Sequence, residues 1–219
     1  MNPALVVVDM QNDFLAKGGY YDRRNLGEDA TRLEEPSAAR AFRAIDEEVA
    51  EVVKNLSRAV SAARAGSWVI AFLLAVYDPT FKDRPRFLQG ENKRAHYPCK
   101  PQSWGAQLID PIGKLAQDAR RRSNEVILEK HTFDGFHGTR LTDFLMDRRT
   151  GGVFVIGVET HACVLATAIR AAVSGFETTI IEDCVWSSKR ELAKASLEVF
   201  SEAFGKKIGL ADSPLGGCV

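Results

Sequence analysis

Three residues of this 219-residue chain are of types that do chemistry and stand where chemistry can be done: Asp9, Lys130 and Cys163. Asp9 closes the apolar run Ala4–Val8, Lys130 follows Val126–Leu128, and Cys163 comes one short turn after Val153–Ile156. Each alone has a plain structural reading. An aspartate after a strand stabilises a turn, a lysine there snorkels to the surface, and a cysteine opening a helix packs as a small hydrophobe. Together they can carry a reaction. A thiolate is the useful nucleophile, and a helix N-terminus or a nearby ammonium lowers a cysteine pKa. The expectation is therefore a depressed Cys163 pKa, set by its helix and by Lys130. Asp9 can take the thiol proton and return it to a leaving nitrogen. Backbone N–H groups between Val158 and Cys163 can hold an oxyanion.

These residues meet only if strand ends converge. Trp68–Val76 and Thr178–Ile181 are further apolar runs of strand length. Near-continuous runs of this kind belong to strands covered on both faces, as in parallel sheets. Helical spacing runs through Ala38–Ala65 up to Gly66, with Phe42, Ile45, Val49, Val52, Val53, Leu56 and Val60. It returns in Thr139–Arg149, in an Ala-rich Ala162–Val173 read as a buried helix, and in Lys189–Phe204. The alternation predicts an α/β, three-layer, doubly wound, Rossmann-type sheet. The stretches Gln11–Pro36 and Tyr77–Gln102 leave the C-terminal ends of strands, where open α/β sheets place ligands, and loops this long are commonly functional. No repeat, low-complexity tract or composition shift marks a linker, so residues 1–219 read as a single domain.

Composition narrows the classes. With 45% hydrophobic and 26% charged residues, the chain can build a core without disulfides or a structural metal. Lys+Arg and Asp+Glu both count 29, so the basic excess of a nucleic-acid binder is missing. Arg120, Arg121 and Arg122 read as a solvated helix end. Cys99, Cys163, Cys184 and Cys218 form no Cys-x-x-Cys pair, and His96, His131, His137 and His161 lack metal-ligand spacing. No metal and no cofactor are expected. The N-terminus reaches Asp9 after five apolar residues, too soon for a secretory core, and no apolar run approaches the ~18 residues of a membrane span. The reading is a cytoplasmic protein with no membrane or nucleic-acid partner. MQNDFLAKGG, after the first run, has no Gly-x-Gly-x-x-Gly or Walker pattern, which argues against a nucleotide-binding module. A redox-sensing thiol is the competing non-enzymatic class, with Cys184 as the cysteine that could approach Cys163 in space.

Three segments in order, ALVVVDMQNDF at 4–14, EKHTFDGFHGTRL at 129–141 and VIGVETHACVLATAIRAAVSGFETTIIEDC at 155–184, resemble the isochorismatase-like cysteine hydrolase superfamily. The resemblance spans nearly the whole chain. It implies a six-stranded parallel sheet, an Asp9–Lys130–Cys163 triad, and a cis peptide between Val158 and Glu159 that turns the Glu159 and Cys163 amides toward the oxyanion. It also implies a cycle of attack by Cys163, loss of ammonia or an amine, and thioester hydrolysis, in a homo-oligomer (dimer or tetramer) acting on a small molecule.

Within the superfamily, nicotinamidases carry an Asp-x-His metal site where this chain reads AVYDPTFKDR, with Asp78 but no nearby histidine. True isochorismatases cleave a vinyl ether without a cysteine nucleophile, and Cys163 argues against that branch. GGYYD at 18–22, KHTFDGFHGTRL and SWGAQL at 103–108 resemble ureidoacrylate, biuret and N-carbamoylsarcosine amidohydrolases. On that reading Phe14, Phe133 and Phe136 flank a small planar group, with core packing the alternative for Phe136, Gln11 supports Asp9, and Trp104 closes the site from the long loop or from a neighbouring subunit. Thr160 and His161 join the substrate pocket, His161 alternatively as a helix cap. Glu159 serves through its backbone, with its side chain turned to solvent or to a salt bridge, while Asp13 and the Asp22–Arg24 cluster are loop and surface residues.

Overall fold

A computed structural model describes residues 1–25, 46–78, 80 and 97–217. The first apolar run is strand β1 (Asn2–Val8), followed by short helices α1 (Asn12–Leu15) and α2 (Tyr20–Asn25) and the long helix α3 (Glu47–Ala65). Strand β2 (Val69–Ala75), helix α4 (Ile112–Gln117) with a 3-10 turn over Asp118–Arg121, strand β3 (Glu125–Lys130) and helix α5 (Leu141–Asp147) come next. Strand β4 (Thr150–Val158), a π-helical turn over Thr160–Val164, helix α6 (Leu165–Val173), strand β5 (Glu177–Trp186), helix α7 (Arg190–Ala203) and strand β6 (Lys206–Ile208) complete the described chain.

The strands form one sheet in the order β3-β2-β1-β4-β5-β6, every neighbouring pair parallel. Chain direction across the sheet reverses at the β1/β4 boundary, the switch point where open α/β sheets leave a crevice beyond their strand ends. Alternation explains why the central strands are apolar throughout. Leu5, Val7, Ile70, Phe72, Ile156 and Val158 pack with α3 and α4 on one face. Val6, Val8, Ala71, Leu73, Val153 and Val155 pack with α5, α6 and α7 on the other. The three-layer architecture follows.

Several boundaries differ from expectation. The helix expected over 38–65 is described from Glu47, residues 38–45 lying outside the described chain, and Gly66 caps it by donating to the Ala62 carbonyl. β5 runs on to Trp186, because its register against β4 shifts between Val155 and Gly157 and takes in the exposed Glu182 and Asp183. The polar pair that ended the apolar run is thus a bulge inside the strand. β6 matched no apolar run, being a three-residue edge strand that starts Lys-Lys, as edge strands often do. The expected buried helix over 162–173 is a π turn followed by α6, which buries Thr167, Ala168 and Ala171 but leaves Val173 exposed. Of α7, only Phe200 is fully buried. Among the described residues no helix is long and apolar enough to cross a membrane.

Candidate active site

The site begins with the strand ends. Asp9 follows β1 at φ 51°, a left-handed conformation that aspartate tolerates better than most residues, and its amide donates to the Leu73 carbonyl at 3.0 Å. Lys130 is the last residue of β3, two strands away, in register with Ala75 of β2. Its side chain crosses the end of β2, fully buried, and places Nζ 2.7 Å from Asp9 Oδ2 and 2.9 Å from the Thr132 carbonyl that it donates to. β4 closes against β1 through Gly157, at φ 122°, where a Cβ would lie 2.1 Å from the Val8 carbonyl oxygen. The Val158–Glu159 peptide is cis. In the turn that follows, the Ala162 and Val164 amides on either side of Cys163 both donate to the Glu159 carbonyl, at 3.0 and 3.2 Å. The buried Cys163 thiol lies close enough to Asp9 and Lys130 for both to act on its proton. Residues far apart in sequence thus share one buried contact.

The electrostatics differ from the sequence expectation. Burial pushes the Cys163 thiol up, Lys130 pulls it down without overcoming burial, and Asp9 adds to the rise. The predicted depression is not found, because burial takes the thiol out of water and Lys130 does not make up for it. Burial also raises Asp9, opposed by the Lys130 charge and by hydrogen bonds. For Lys130, burial works against the ammonium, but Asp9 and Cys163 outweigh it and hold the pKa up. Burial thus favours the protonated thiol at Cys163, while Asp9 and Lys130 stand 2.7 Å apart beside it.

The expected pocket residues separate into groups. Gln11 does not bond the Asp9 carboxylate. Its Nε2 donates to the Ala75 and Ala106 carbonyls and its Oε1 accepts from the Ala75 amide, all at 2.8 Å. Fully committed, it braces the end of β2 against the 97–111 segment instead of facing substrate. Phe14 is buried beside Tyr21, with ring centroids 5.4 Å apart. Phe136 is buried in the core, 6.2 Å from the Phe176 ring, so packing accounts for it. Phe133 is half-buried against the same cluster, and Trp104 packs half-buried against the opposite one. The Trp104 carbonyl accepts from Asn12 Nδ2 at 2.9 Å, tying its loop to α1. Pro79 and residues 81–96 of the expected active-site loop, His96 among them, lie outside the described residues, as do residues 26–36, the Arg23 and Arg24 side chains, and Cys218.

Glu159 and His161 do more than the sequence suggested. The Glu159 side chain is not in solvent. It is buried, and Oε2 accepts from Ser187 Oγ at 2.7 Å, the Ser188 amide at 3.1 Å and Ser188 Oγ at 3.3 Å. His161 Nδ1 stands 2.6 Å from Ser187 Oγ and 3.6 Å from Glu159 Oε2. Because the Ser187 hydroxyl gives its one proton to Glu159, the imidazole donates from Nδ1, and its Nε2 is left as the acceptor in the neutral ring.

Other site residues escaped sequence reasoning. Asp13, expected on the surface, is buried, with Oδ1 accepting from the Tyr20 amide at 3.0 Å and Oδ2 from the Cys99 amide at 2.6 Å. A Cβ on Gly105 would fall 2.1 Å from that Oδ2, so Gly105 lets the loop close on the carboxylate. Tyr77, two positions beyond β2, is buried, and its hydroxyl is raised by burial first and then by Cys163 and Asp9. Cys99, buried at φ 55°, also feels Asp9, Lys130 and Cys163. Cys184 does not: burial and the neighbouring Asp183 push it up to about 12. Among the described residues no three His, Cys, Asp or Glu side chains are grouped to hold a metal ion, and Asp78 accepts from Thr80 N and Oγ1.

Residues 3–212 match the family model of the isochorismatase domain. The chain belongs to the isochorismatase-like hydrolase family. Among relatives of this hydrolase, ureidoacrylate amidohydrolase RutB of Yersinia enterocolitica serotype O:8 / biotype 1B is 24% identical over 210 residues, covering 92% of this chain and 83% of that one. The pyrazinamidase/nicotinamidase of Streptococcus mutans UA159 superposes with a TM-score of 0.74 at 21% identity, over 94% of this chain and 99% of that one. N-carbamoylsarcosine amidase of Thermoplasma acidophilum gives 0.67 at 23% identity, over 97% and 98%. At these identities the solved structures establish the shared fold.

Proposed function

We propose that the protein is a cysteine amidohydrolase that cleaves a C–N bond of a small ureido, carbamoyl or amide substrate through a thioester. The observation that carries this reading is the buried three-way contact of Asp9, Lys130 and Cys163 at the switch point of the sheet. The activities named for the RutB relative and the carbamoylsarcosine amidase neighbour support the choice of bond.

The cycle follows from the resting charges. Asp9 takes the proton from Cys163 Sγ, and the Lys130 ammonium, already in contact with both, stabilises the thiolate as it forms. Sulfur attacks the substrate carbonyl carbon, and the oxyanion points to the Glu159 and Cys163 amides. As the C–N bond breaks, Asp9 returns its proton to the leaving nitrogen, releasing ammonia or an amine. A water then gives its proton to Asp9 and attacks the thioester, and the expelled thiolate recovers the proton. A high resting thiol pKa suits this order, because the nucleophile is made only when Asp9 has somewhere to pass the proton.

The test is ammonia release from biuret, ureidoacrylate, N-carbamoyl amino acids, nicotinamide and simple amides, wild type beside Cys163→Ala. A ureido substrate turned over by wild type and slowed at least ~10³-fold in the variant is expected. Equal rates in the two proteins, or no amide turned over, refutes the assignment.

A further inference from the structure

Six buried side-chain polar positions among the described residues find no hydrogen-bond partner, and they are not scattered. Apart from Thr150, at the far end of β4, they belong to Asp9, Glu159, Thr160 and Trp186, all at the C-terminal edge of β1, β4 and β5. Asp9 Oδ2 has its ion pair with Lys130, and the carboxylate belongs to the contact with Cys163 already described. Glu159 is not accounted for in the same way. The residue is 6% exposed, Oε2 takes all three donors from Ser187 and Ser188, and Oε1 takes none. Thr160, 1% exposed and next in the chain, has Oγ1 in the same position. Native interiors satisfy such atoms, and a buried acceptor left unpaired is costly.

A tether between the ends of β4 and β5 explains Oε2 but not Oε1. A counter-ion does not explain Oε1 either. His161 Nδ1 is nearer to Ser187 than to the carboxylate, and Lys130 is held by Asp9. What Glu159 shares with the nucleophile is one turn: its carbonyl accepts from the Ala162 and Val164 amides on either side of Cys163, at 3.0 and 3.2 Å, and both side chains act on the half-buried Tyr21 hydroxyl.

We propose that Glu159 is a specificity residue, its free carboxylate oxygen Oε1 accepting an N–H from the substrate, with Thr160 Oγ1 beside it. This rests on the amidohydrolase reading of the same site and narrows its substrate class. The ligand is an uncharged ureide whose nitrogen beyond the scissile bond still carries hydrogen, as in biuret, and a ureide bearing its own carboxylate at that end is disfavoured by like charge. Three donors on Oε2 fix which way the acid sits. In Glu159→Gln the amide oxygen must take those donors, so –NH₂ replaces the acceptor at the free position and the hydrogen-bond sense inverts.

The experiment compares biuret, 1,1-dimethylbiuret and an N-carbamoyl amino acid in steady-state kinetics. Wild type is expected to favour biuret. In Glu159→Gln, KM for biuret is expected to rise ~10-fold or more, kcat to change less, and preference to move toward the carboxylate-bearing ureide. Ser187→Ala separates recognition from tethering, since it loosens the same contact but leaves the acceptor in place. If the two variants lose melting temperature together and neither moves the substrate ratio, Glu159 is only a tether and the proposal fails. Should Glu159→Gln not fold, Thr160→Val and Glu159→Asp are measured for the same ratio. Calorimetric binding of biuret to Cys163→Ala, with and without each pocket substitution, needs no turnover. Binding that is weakened by the pocket change supports the recognition role even if wild type hydrolyses nothing, which would sink only the amidohydrolase reading. No binding, or binding indifferent to Glu159 and Thr160, overturns it.

Discussion

Glu125, the first residue of β3, and Lys130, its last, are both buried and each meets a partner of opposite sign, yet the two pairs are built differently. At the start of the strand, Arg64 grips Glu125 with two parallel bonds, Nε to Oε1 at 2.8 Å and Nη2 to Oε2 at 2.7 Å. Nη2 also donates to the Leu115 carbonyl at 2.5 Å, and Arg122 stands 3.5 Å from Oε1. The fork is filled, and its hydrogen bonds to Glu125 raise the Arg64 pKa. At the end of the strand, Lys130 has one ion contact, one carbonyl and a thiol, and burial leaves Asp9 above its ordinary value. A saturated pair has nothing left to do but hold the chain. An incompletely satisfied one can exchange a proton.

The sharpest way to break this contrast is to remove each cation in turn. Lys130→Met keeps most of the stem's volume and deletes the charge. It is expected to lower ammonia release at least ~10³-fold, as loss of a member of a cooperating unit does, measured beside a circular dichroism check that the fold persists. Activity within a few-fold of wild type would place Lys130 with the structural pairs.

A second measurement is the acid limb of kcat/KM. In the proposed cycle Asp9 accepts the thiol proton only when ionised, and burial, opposed by Lys130, raises its pKa above 3.8. Activity is therefore expected to fall at a pH above the ordinary aspartate range, by ~10-fold for each further unit. A limb at or below 3.8 would mean that the ion pair outweighs burial. Stability carries the opposite sign. The folded chain binds this proton more tightly than the unfolded one, so Asp9's contribution fades as pH rises from 3.8 through the folded value.

Arg64→Met is the mirror experiment. It strands Glu125 with only Arg122, and breaking such a pair costs ~3 kcal/mol, which thermal denaturation should show as ~6–12 °C in a chain of this size. Turnover per folded molecule is expected to stay within ~2-fold of wild type, as for surface changes far from chemistry. A large loss of turnover at constant stability would erase the distinction between the two ends.

Sequence legibility follows the same divide. Asp9, Lys130 and Cys163 could be picked out because an ionisable residue at the end of an apolar run contradicts its surroundings. The central strands were readable because burial on both faces makes them uniformly apolar. β6 was not, since an edge strand gains little from apolar residues, and the far half of β5 was hidden by Glu182 and Asp183 in its bulge. Gln11, Asp13 and Glu159 were misjudged for one reason. Each side chain bonds backbone or hydroxyl groups brought from distant segments, and no spacing along the chain encodes those partners. Tyr77 carried a weak signal, an aromatic two steps past a strand, and Tyr21 lay in the quoted GGYYD without being given a role.

The position of β3 at the margin of the sheet has one more consequence. It has a single neighbour, β2, to dictate its alignment, and short edge strands are prone to slip. Here a negative charge at the first residue seeks Arg64 and a positive charge at the last seeks Asp9. A slip of one position would turn every side chain to the other face and break both pairs at once. Reversal would set like charges against each other at both ends. The strand's two terminal letters thus write its address and its direction, while Val126 and Ile127 between them, half-buried, supply packing to the two faces of the sheet.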